Sequence, residues 1–421
     1  MKKLFFINDT PANKISYYLL MCFLIALPFE SFYSEIILIG FVIHTVIHIR
    51  KDRLRSLLNK QLLLITSFYL LSVLALIYSN YKGEGVALLT RQLAILLFPI
   101  LFTLNETDFS KYKLQLLQIF GFACIGVVLF FCLDALRIIC YFHLPVTSLF
   151  SKEFINQNFS QPLDLHATYF SMYVALSLST FLFLLIEERS ALKILIYSIC
   201  LVILLFGLIQ LSSRSVIIAI FMIVFFAFPL VVLRSKRRIK YLLIVVLLAT
   251  IFYCIISNIP SFKYRFTNEL RDDLTQPSTT NKLTEPRLVR WQAVTELIKR
   301  SPIIGYGTGA EIPILKEKYF EKKLYFSYIS EFNAHNQYLS FLLNLGILGC
   351  GLFLFILCYA FSVGSRNKDI LLLSFLIIIV VTAVSEDILN VNKGIFFYGF
   401  FIPFFLLFQK EREIVSIQAT G

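Results

Sequence analysis

Long apolar runs recur from one end of the chain to the other, with short charged segments between them. A helix needs roughly 17 to 25 residues to cross a hydrocarbon layer about 30 Å thick. With 58% hydrophobic and 15% charged residues, the chain also has too few polar side chains to cover a soluble fold. The sequence therefore predicts an all-α polytopic membrane protein with about twelve transmembrane helices. Their cores begin at Ile15, Phe32, Leu62, Val86, Leu114, His166, Leu192, Ser215, Tyr241, Asn336, Ile370 and Ile395.

Basic residues are distributed unevenly between the two sides of these predicted helices. Segments on one side are strongly basic, as at residues 50–60 and 234–240. Lys and Arg in short loops stay in the cytoplasm, so this side and both termini are predicted to be cytoplasmic. The distribution accounts for most of the net charge of +13, and no nucleic-acid partner is expected. The short segments on the other side hold Lys82, Arg137, Lys152, Arg214 and Lys393.

One long excursion interrupts the apolar pattern between the ninth and tenth predicted helices, at residues 260–335. The charge pattern places this loop outside the cytoplasm. The predicted domains are 1–259 with helices one to nine, 260–335 as the external loop, and 336–421 with the last three helices and a cytoplasmic tail. The polar residues 268–284 predict a mobile strap at the start of the loop.

Two amphipathic helices are predicted inside this loop. The first has Thr284 as its cap and Glu285 and Pro286 in its first turn, and Pro302 ends it. The second runs from about residue 314 to residue 332, and together they are expected to cover the mouth of a cavity from the outer membrane surface. The apolar stripe of the first helix consists of Leu288, Trp291, Val294 and Ile298. The basic residues off that stripe are Arg287, Arg290, Lys299 and Arg300.

Three glycines, Gly305, Gly307 and Gly309, make a glycine-rich segment between these helices. A nucleotide-binding loop would continue with Lys and Ser or Thr and would connect a strand to a helix. Neither feature surrounds this segment. It is therefore predicted to be a turn.

Several polar side chains lie close to the predicted membrane helices, where a polar group costs free energy unless it reaches the membrane surface or has a function. Arg214 lies in a very short external turn, where snorkelling to lipid phosphate is the alternative to a functional role. His335 lies where the loop re-enters the membrane, and either a structural role or proton transfer fits it. Taken alone, Arg287 is typical of a charged residue on the solvated face of a helix. The adjacent pair Glu386 and Asp387 follows the eleventh predicted helix and could simply face water.

Four motifs in the second half of the chain carry a resemblance to a known family. They are QLSSRS at 210–215, PRLVRW at 286–291, SPIIGYGTG at 301–309 and NAHNQYLSFLLNLGILG at 333–349. The last of these is the most specific. With the helical layout and the long loop before the tenth helix, the chain resembles the O-antigen ligase and polymerase superfamily.

This resemblance implies a GT-C-like membrane glycosyltransferase in the bacterial inner membrane, with the long loop in the periplasm. Members of the family transfer a whole glycan from an undecaprenyl diphosphate carrier to an acceptor hydroxyl. They use no nucleotide sugar, metal ion or other cofactor. The expected partners are the lipid-linked glycan, a lipid A-core acceptor and membrane lipids.

The motif positions also imply residue roles. Arg214 and Arg287 are expected to hold the diphosphate, because guanidinium groups bind phosphate in bidentate fashion. His335 is expected to orient or deprotonate the acceptor hydroxyl. Further contacts to diphosphate or acceptor are expected from Arg290, Asn336, Asp387 and Glu386.

Within the family, the size and position of the loop favour a ligase, which transfers the polymer to the lipid A core. The alternative is a polymerase of O-antigen or another surface polysaccharide, which adds the glycan to another lipid-linked repeat. A lipid-linked glycan flippase is the alternative from another class of protein. Transporters of that kind usually show two similar halves and a binding site near the membrane midplane. The sequence shows no such repeat.

Overall fold

A computed structural model describes residues 2–233, 235–274 and 285–409. These residues form helices and connections without a strand, so the all-α prediction is confirmed for them. The main helices are α1 (Pro11–Ala26), α2 (Ser31–Ile47), α3 (Lys60–Ala75), α4 (Lys82–Leu104), α5 (Lys113–Tyr141), α6 (Ala167–Glu187), α7 (Ala191–Leu211), α8 (Arg214–Met222), α9 (Ser235–Asn258), α10 (Arg287–Arg300), α11 (Glu311–Glu321), α12 (Tyr325–Ile329), α13 (Gln337–Arg366), α14 (Ile370–Thr382) and α15 (Asn392–Leu407).

Shorter helical segments connect or extend the main helices. A π-helical turn, Ile223–Ala227, and the short helix Phe228–Val231 continue α8. The remaining segments are Lys2–Phe5, Lys51–Leu54, Arg55–Leu58, Phe109–Tyr112, Val146–Phe150, Lys152–Phe154, Gln157–Ser160, Gln161–Leu163, Pro260–Lys263, Tyr264–Asn268 and Glu269–Leu274.

Every predicted transmembrane core begins in or directly before one of these helices, but the helices differ in length. In the described part of the chain, six helical regions are long and apolar enough to cross a membrane. A seventh is added if Ser31–Ile47 and Lys51–Leu58, bent by 115°, count as one span. Helix α14 is apolar but has 13 residues, which rise only about 20 Å. The chain is thus a multi-pass membrane protein, and the count of twelve spans stays a prediction.

Helix α15 lies in the centre of the bundle and is buried along its whole length from Gly394 to Leu406. It packs mainly against α4 through phenylalanine rings, such as Phe400 with Phe98 at 5.3 Å between ring centroids. Close van der Waals packing is a main attraction between helices in lipid. Because α15 is packed so tightly, it fixes the position of the connection 383–391, which joins α14 to α15.

The predicted turn at residues 301–309 fills a break in α13. At Gly346 the backbone leaves the helical region, with φ 64° and ψ −162°. Backbone amides of the turn donate to the carbonyls before this break, Tyr306 to Leu343 at 2.9 Å and Gly307 to Asn344 at 2.8 Å. The amide of Ile347, after the break, donates in return to the turn. The segment is a structural turn, and its amides serve the helix rather than a nucleotide.

Replacing Gly346 with Ala should destabilise the protein by at least about 2 kcal/mol, because this backbone conformation is accessible almost only to glycine. An added Cβ would also lie 2.2 Å from the carbonyl oxygen of Ile303. The effect is measured by heating samples to a series of temperatures and then recording, by size-exclusion chromatography in detergent, how much of the monodisperse peak is lost. Gly351→Ala in the same helix is the control, since a Cβ there meets nothing within 4 Å. Equal thermal stability of the two variants would contradict the assignment.

The loop helices differ from their predictions in three ways. Helix α10 begins at Arg287 with Pro286 as its N-cap, while the predicted cap Thr284 lies outside the described residues. Glu285 lies outside α10 and instead accepts hydrogen bonds from the backbone amides of Phe326 and Ser327 at the start of α12. The second amphipathic stretch is divided into α11 and α12.

The buried face of α10 is also shifted from the predicted stripe. Its buried residues are Arg290, Ala293, Val294 and Leu297, so Arg290 was wrongly expected to be off the buried face. A guanidinium tolerates this position because it stacks on the ring of Phe332, 4.8 Å from the centroid.

The predicted strap begins as a helix instead. Glu269–Leu274 continues the helical segment before it, and an Arg265–Glu269 ion pair at i, i+4 supports this turn. The rest of the strap, residues 275–284, lies outside the described residues.

Candidate active site

The imidazole of His335 faces the carboxylate of Glu386, with Nδ1 3.8 Å from Oε2. His335 follows the loop helices, and Glu386 lies in the connection 383–391 between α14 and α15. The carboxylate is 9% exposed, whereas the imidazole is 29% exposed and so remains reachable for a substrate. At this separation the two groups attract each other as an ion pair when the imidazole is protonated.

Arg287 approaches the same connection from the first residue of α10. Its Nη1 donates a hydrogen bond of 2.9 Å to the backbone carbonyl of Ser385, the residue before Glu386. The side chain is half-buried. Arg287, His335 and Glu386 therefore meet at one place although they are far apart in sequence.

The start of α6 closes this cluster from another direction. The hydroxyl of Thr168 donates to Oε1 of Glu386 at 3.3 Å, and the hydroxyl of Tyr169 donates to the backbone carbonyl of Asp387 at 3.4 Å. His166, the N-cap residue of α6, lies close enough to Glu386 and Arg265 to interact with them electrostatically. The start of α6 thus contacts both the carboxylate of Glu386 and the backbone that carries it.

Neighbouring groups lower the pKa of the Glu386 carboxyl. Burial by itself would raise the pKa of this carboxyl, but His335, His166 and Arg287 outweigh that effect, and the pKa lies below the usual range. Because the pKa of this carboxyl is lower in the folded protein than in the unfolded chain, its ionisation stabilises the fold at pH values above the ordinary carboxyl pKa. This stabilisation is lost as the pH falls through the lowered pKa of the folded protein. Glu386 is therefore an anion at neutral pH.

Asp387 points away from this cation cluster and towards a second carboxyl group, that of Glu311 at the start of α11. Both are buried, with 1% of Asp387 and 3% of Glu311 exposed. The amide Nδ2 of Asn390 lies 2.7 Å from Oδ2 of Asp387 and 3.2 Å from Oε2 of Glu311. Asn333, two residues before His335, donates to Oδ2 of Asp387 at 3.2 Å. The pair of Glu311 and Asp387 therefore packs against the segment that carries His335.

Arg214 begins α8, and its side chain is half-buried. The preceding turn is tied to the segment before α6. The backbone amide of Asn156 donates to the carbonyl of Gln210 at 2.7 Å, and Oε1 of Gln157 accepts from the amide of Ala167 at 3.0 Å. Arg214 therefore lies at the same end of the bundle as the start of α6.

Two further predicted site residues have structural tasks in this arrangement. Arg290 is buried against Phe332. Asn336 is the N-cap of α13, where its Oδ1 accepts from the amide of Leu339 at 3.1 Å. Their roles as substrate contacts stay predictions.

Sequence reasoning missed Glu311, because a Glu in a stretch rich in Lys and Glu reads as a solvated charge. A signal for it was present on the other side of the contact. Asn336, Ser340 and Asn344 recur every four residues along a helix that is otherwise apolar, which marks one polar face. Ser340 and Asn344 both donate to Oε2 of Glu311.

Comparison with protein families bears on this cluster. Residues 199–354 match the family model described as O-antigen ligase. The match confirms the resemblance to the O-antigen ligase superfamily. The matched segment contains Arg214, Arg287 and His335 but ends before Glu386 and Asp387. A comparison with curated proteins gives no match.

Members of the matched family share one kind of chemistry. O-antigen ligase family members are glycosyltransferase-like enzymes that act in a membrane on lipid-linked glycans. Within the described ranges, no group of three or more His, Cys, Asp or Glu side chains is arranged to hold a metal ion.

Proposed function

We propose that this protein is an O-antigen ligase that transfers a glycan en bloc from undecaprenyl diphosphate to a hydroxyl group of the lipid A core. The observation that carries the proposal is that Arg287 and His335, both within the segment that matches the family model, meet Glu386 from the connection between α14 and α15. In this proposal the cluster opens to the periplasmic face of the inner membrane, residues 260–335 form the periplasmic loop, and both termini are cytoplasmic.

The proposed reaction balances without a metal ion or a nucleotide cofactor. The acceptor hydroxyl oxygen forms a bond to the anomeric carbon, and the bond from that carbon to the diphosphate oxygen breaks. The electron pair leaves with undecaprenyl diphosphate, and the hydroxyl proton passes to the imidazole of His335. Glu386, facing Nδ1, stabilises the imidazolium that results.

The departing diphosphate gains negative charge as the bond breaks. Arg287 and Arg214 are proposed to stabilise this charge, since a planar guanidinium can donate two parallel hydrogen bonds to phosphate oxygens. Preorganised donors aimed at a developing charge are often the largest single contribution to catalysis. Arg290, Asn336 and Asp387 are proposed to support contacts to the diphosphate or to the acceptor.

Deletion of the gene tests the proposal and separates the alternatives. We expect lipopolysaccharide without polymer on gels, together with finished polymer stranded on the lipid carrier. A single repeat capping the core would instead indicate a polymerase. Trapping of intermediates on the cytoplasmic side would indicate a flippase. Complementation with the wild-type gene must restore the ladder of long chains.

A further inference from the structure

We propose that Glu311 and Asp387 share one proton and that this pair clamps residues 333–335, so that the imidazole of His335 is held against Glu386. Glu311 is then a positioning residue for the transfer reaction. The inference rests on the proposed function, because it explains how the proposed proton acceptor is held. It goes beyond that function by assigning a task to a carboxyl group outside the cluster.

The geometry of the two carboxyl groups favours a proton between them. One amide nitrogen, Nδ2 of Asn390, donates to both groups. Among the described residues, Oδ1 of Asp387 is buried without a hydrogen-bond partner. The hydroxyl of Ser340 lies near Asp387 but donates to Oε2 of Glu311, so a protonated Glu311 is the group that can donate to Asp387. Two ionised carboxylates so close together in a buried place repel each other strongly, and one bound proton removes the repulsion.

The surroundings of the pair favour this protonation. Burial and the charge of Glu311 raise the pKa of Asp387 well above its usual range. Burial also raises the pKa of Glu311, although hydrogen bonds from Ala334, Ser340 and Asn344 oppose the rise. The titratable groups that face the pair are His335, Tyr169 and Tyr319, and Glu386 is the neighbour of Asp387 in the chain.

Glu311 and Trp291 together hold the backbone amide and carbonyl of Ala334. Oε1 of Glu311 accepts from the Ala334 amide at 3.0 Å, while the indole of Trp291 donates to the Ala334 carbonyl at 2.8 Å. Asp387 holds the side chain of Asn333, whose Oδ1 accepts from the amide of His335 at 3.0 Å.

These bonds keep His335 in an unfavourable conformation. Its φ of 46° lies in the left-handed region, which is uncommon for residues other than glycine. The clamp offsets that cost and fixes the direction of the imidazole.

Loss of the shared proton should open the clamp. As the pH rises through the raised pKa of the pair, the second carboxyl ionises and the two charges repel. A raised carboxyl pKa also means that folding stability decreases as the pH rises from the ordinary carboxyl range towards the folded value. We therefore expect transfer to decline on the alkaline side through this pair.

Substitution of Glu311 tests the clamp. Glu311→Ala removes the acceptor for Ala334 and should lower transfer about a hundredfold, as expected for a misplaced catalytic group. Glu311→Gln keeps that acceptor and offers an amide N–H to Asp387, but it loses the oxygen that accepts from Ser340, Asn344 and Asn390. Transfer should therefore recover well above that of Glu311→Ala without reaching the wild-type rate, and the alkaline decline should shift to higher pH. Glu317→Gln, an exposed residue of the same helix, is the control. Wild-type transfer by Glu311→Ala, or an unchanged alkaline decline in Glu311→Gln, would overturn the proposal.

An infrared measurement tests the shared proton without any assay of transfer. The purified protein in lipid nanodiscs at neutral pH should show the carbonyl band of a protonated carboxylic acid. The band should vanish in Glu311→Gln and in Asp387→Asn and remain in Glu317→Gln. Wild-type protein that transfers glycan but lacks this band would refute the pair and leave the function intact. Protein that shows the band but transfers no glycan would refute the function and leave the pair intact.

Discussion

Replacing His335 with Ala should lower the rate of glycan transfer about 10²- to 10⁴-fold, the usual contribution of a positioned acid or base. The imidazole is reachable from outside and faces Glu386, so its loss removes the group that would take the hydroxyl proton. The measurement is single-turnover transfer by purified protein in nanodiscs, with a lipid-linked glycan as donor and lipid A core as acceptor.

The histidine prediction has a matched control in His48→Ala. His48 is exposed at the end of α2, where its Nδ1 contacts the carbonyl of His44 at 2.9 Å. This variant should transfer at the wild-type rate. Size-exclusion profiles of both variants should match wild type, which separates lost chemistry from lost folding. Full activity of His335→Ala would remove the imidazole from the reaction.

Arg287→Ala should lower the maximal rate about 10²- to 10³-fold, comparable to the loss of one preorganised donor to a developing charge. The rate constant for transfer should fall more than the apparent affinity for the donor, because the charge on the diphosphate grows only as the bond breaks. Initial rates at varied donor concentration separate the two effects.

Two further variants define what Arg287 contributes. Arg287→Lys keeps the charge but loses the planar fork, so an intermediate rate is expected. Arg300→Ala, at the exposed end of the same helix, should behave as wild type. If Arg287→Lys matched wild type, bidentate binding of phosphate at this position would be disproved.

The positions of the membrane helices could be predicted because they depend on local composition. Each apolar run between charged segments, such as those at Leu114 and Leu192, corresponds to a helix in the structure. Their lengths were less predictable. The 13-residue helix α14 is short because the chain turns after Thr382 to form the connection 383–391, and nothing local in an apolar sequence announces such a turn.

Part of the candidate site could be predicted from single residues that are unusual for their place. His335, where an apolar run follows the long polar loop, and the adjacent Glu386 and Asp387 are of this kind. Glu311 and Asn390 could not be found in this way, because their significance depends on contacts between distant parts of the chain. Arg290 was misplaced because helical spacing alone was ambiguous by one residue, and packing against Phe332 decided the buried face.

The break in α13 has a consequence for exchanging parts between relatives. Pro302 and Ile303 accept hydrogen bonds from Ile347 and Leu348, and the turn donates in the reverse direction to Leu343 and Asn344. Because of these reciprocal hydrogen bonds, residues 301–309 and 337–349 form one rigid unit, although 27 residues separate them in the sequence. A chimera that imports helices α10 to α12 from a relative without the matching half of α13 should fail to assemble. Transplanted together, the two stretches should carry the geometry of the donor with them.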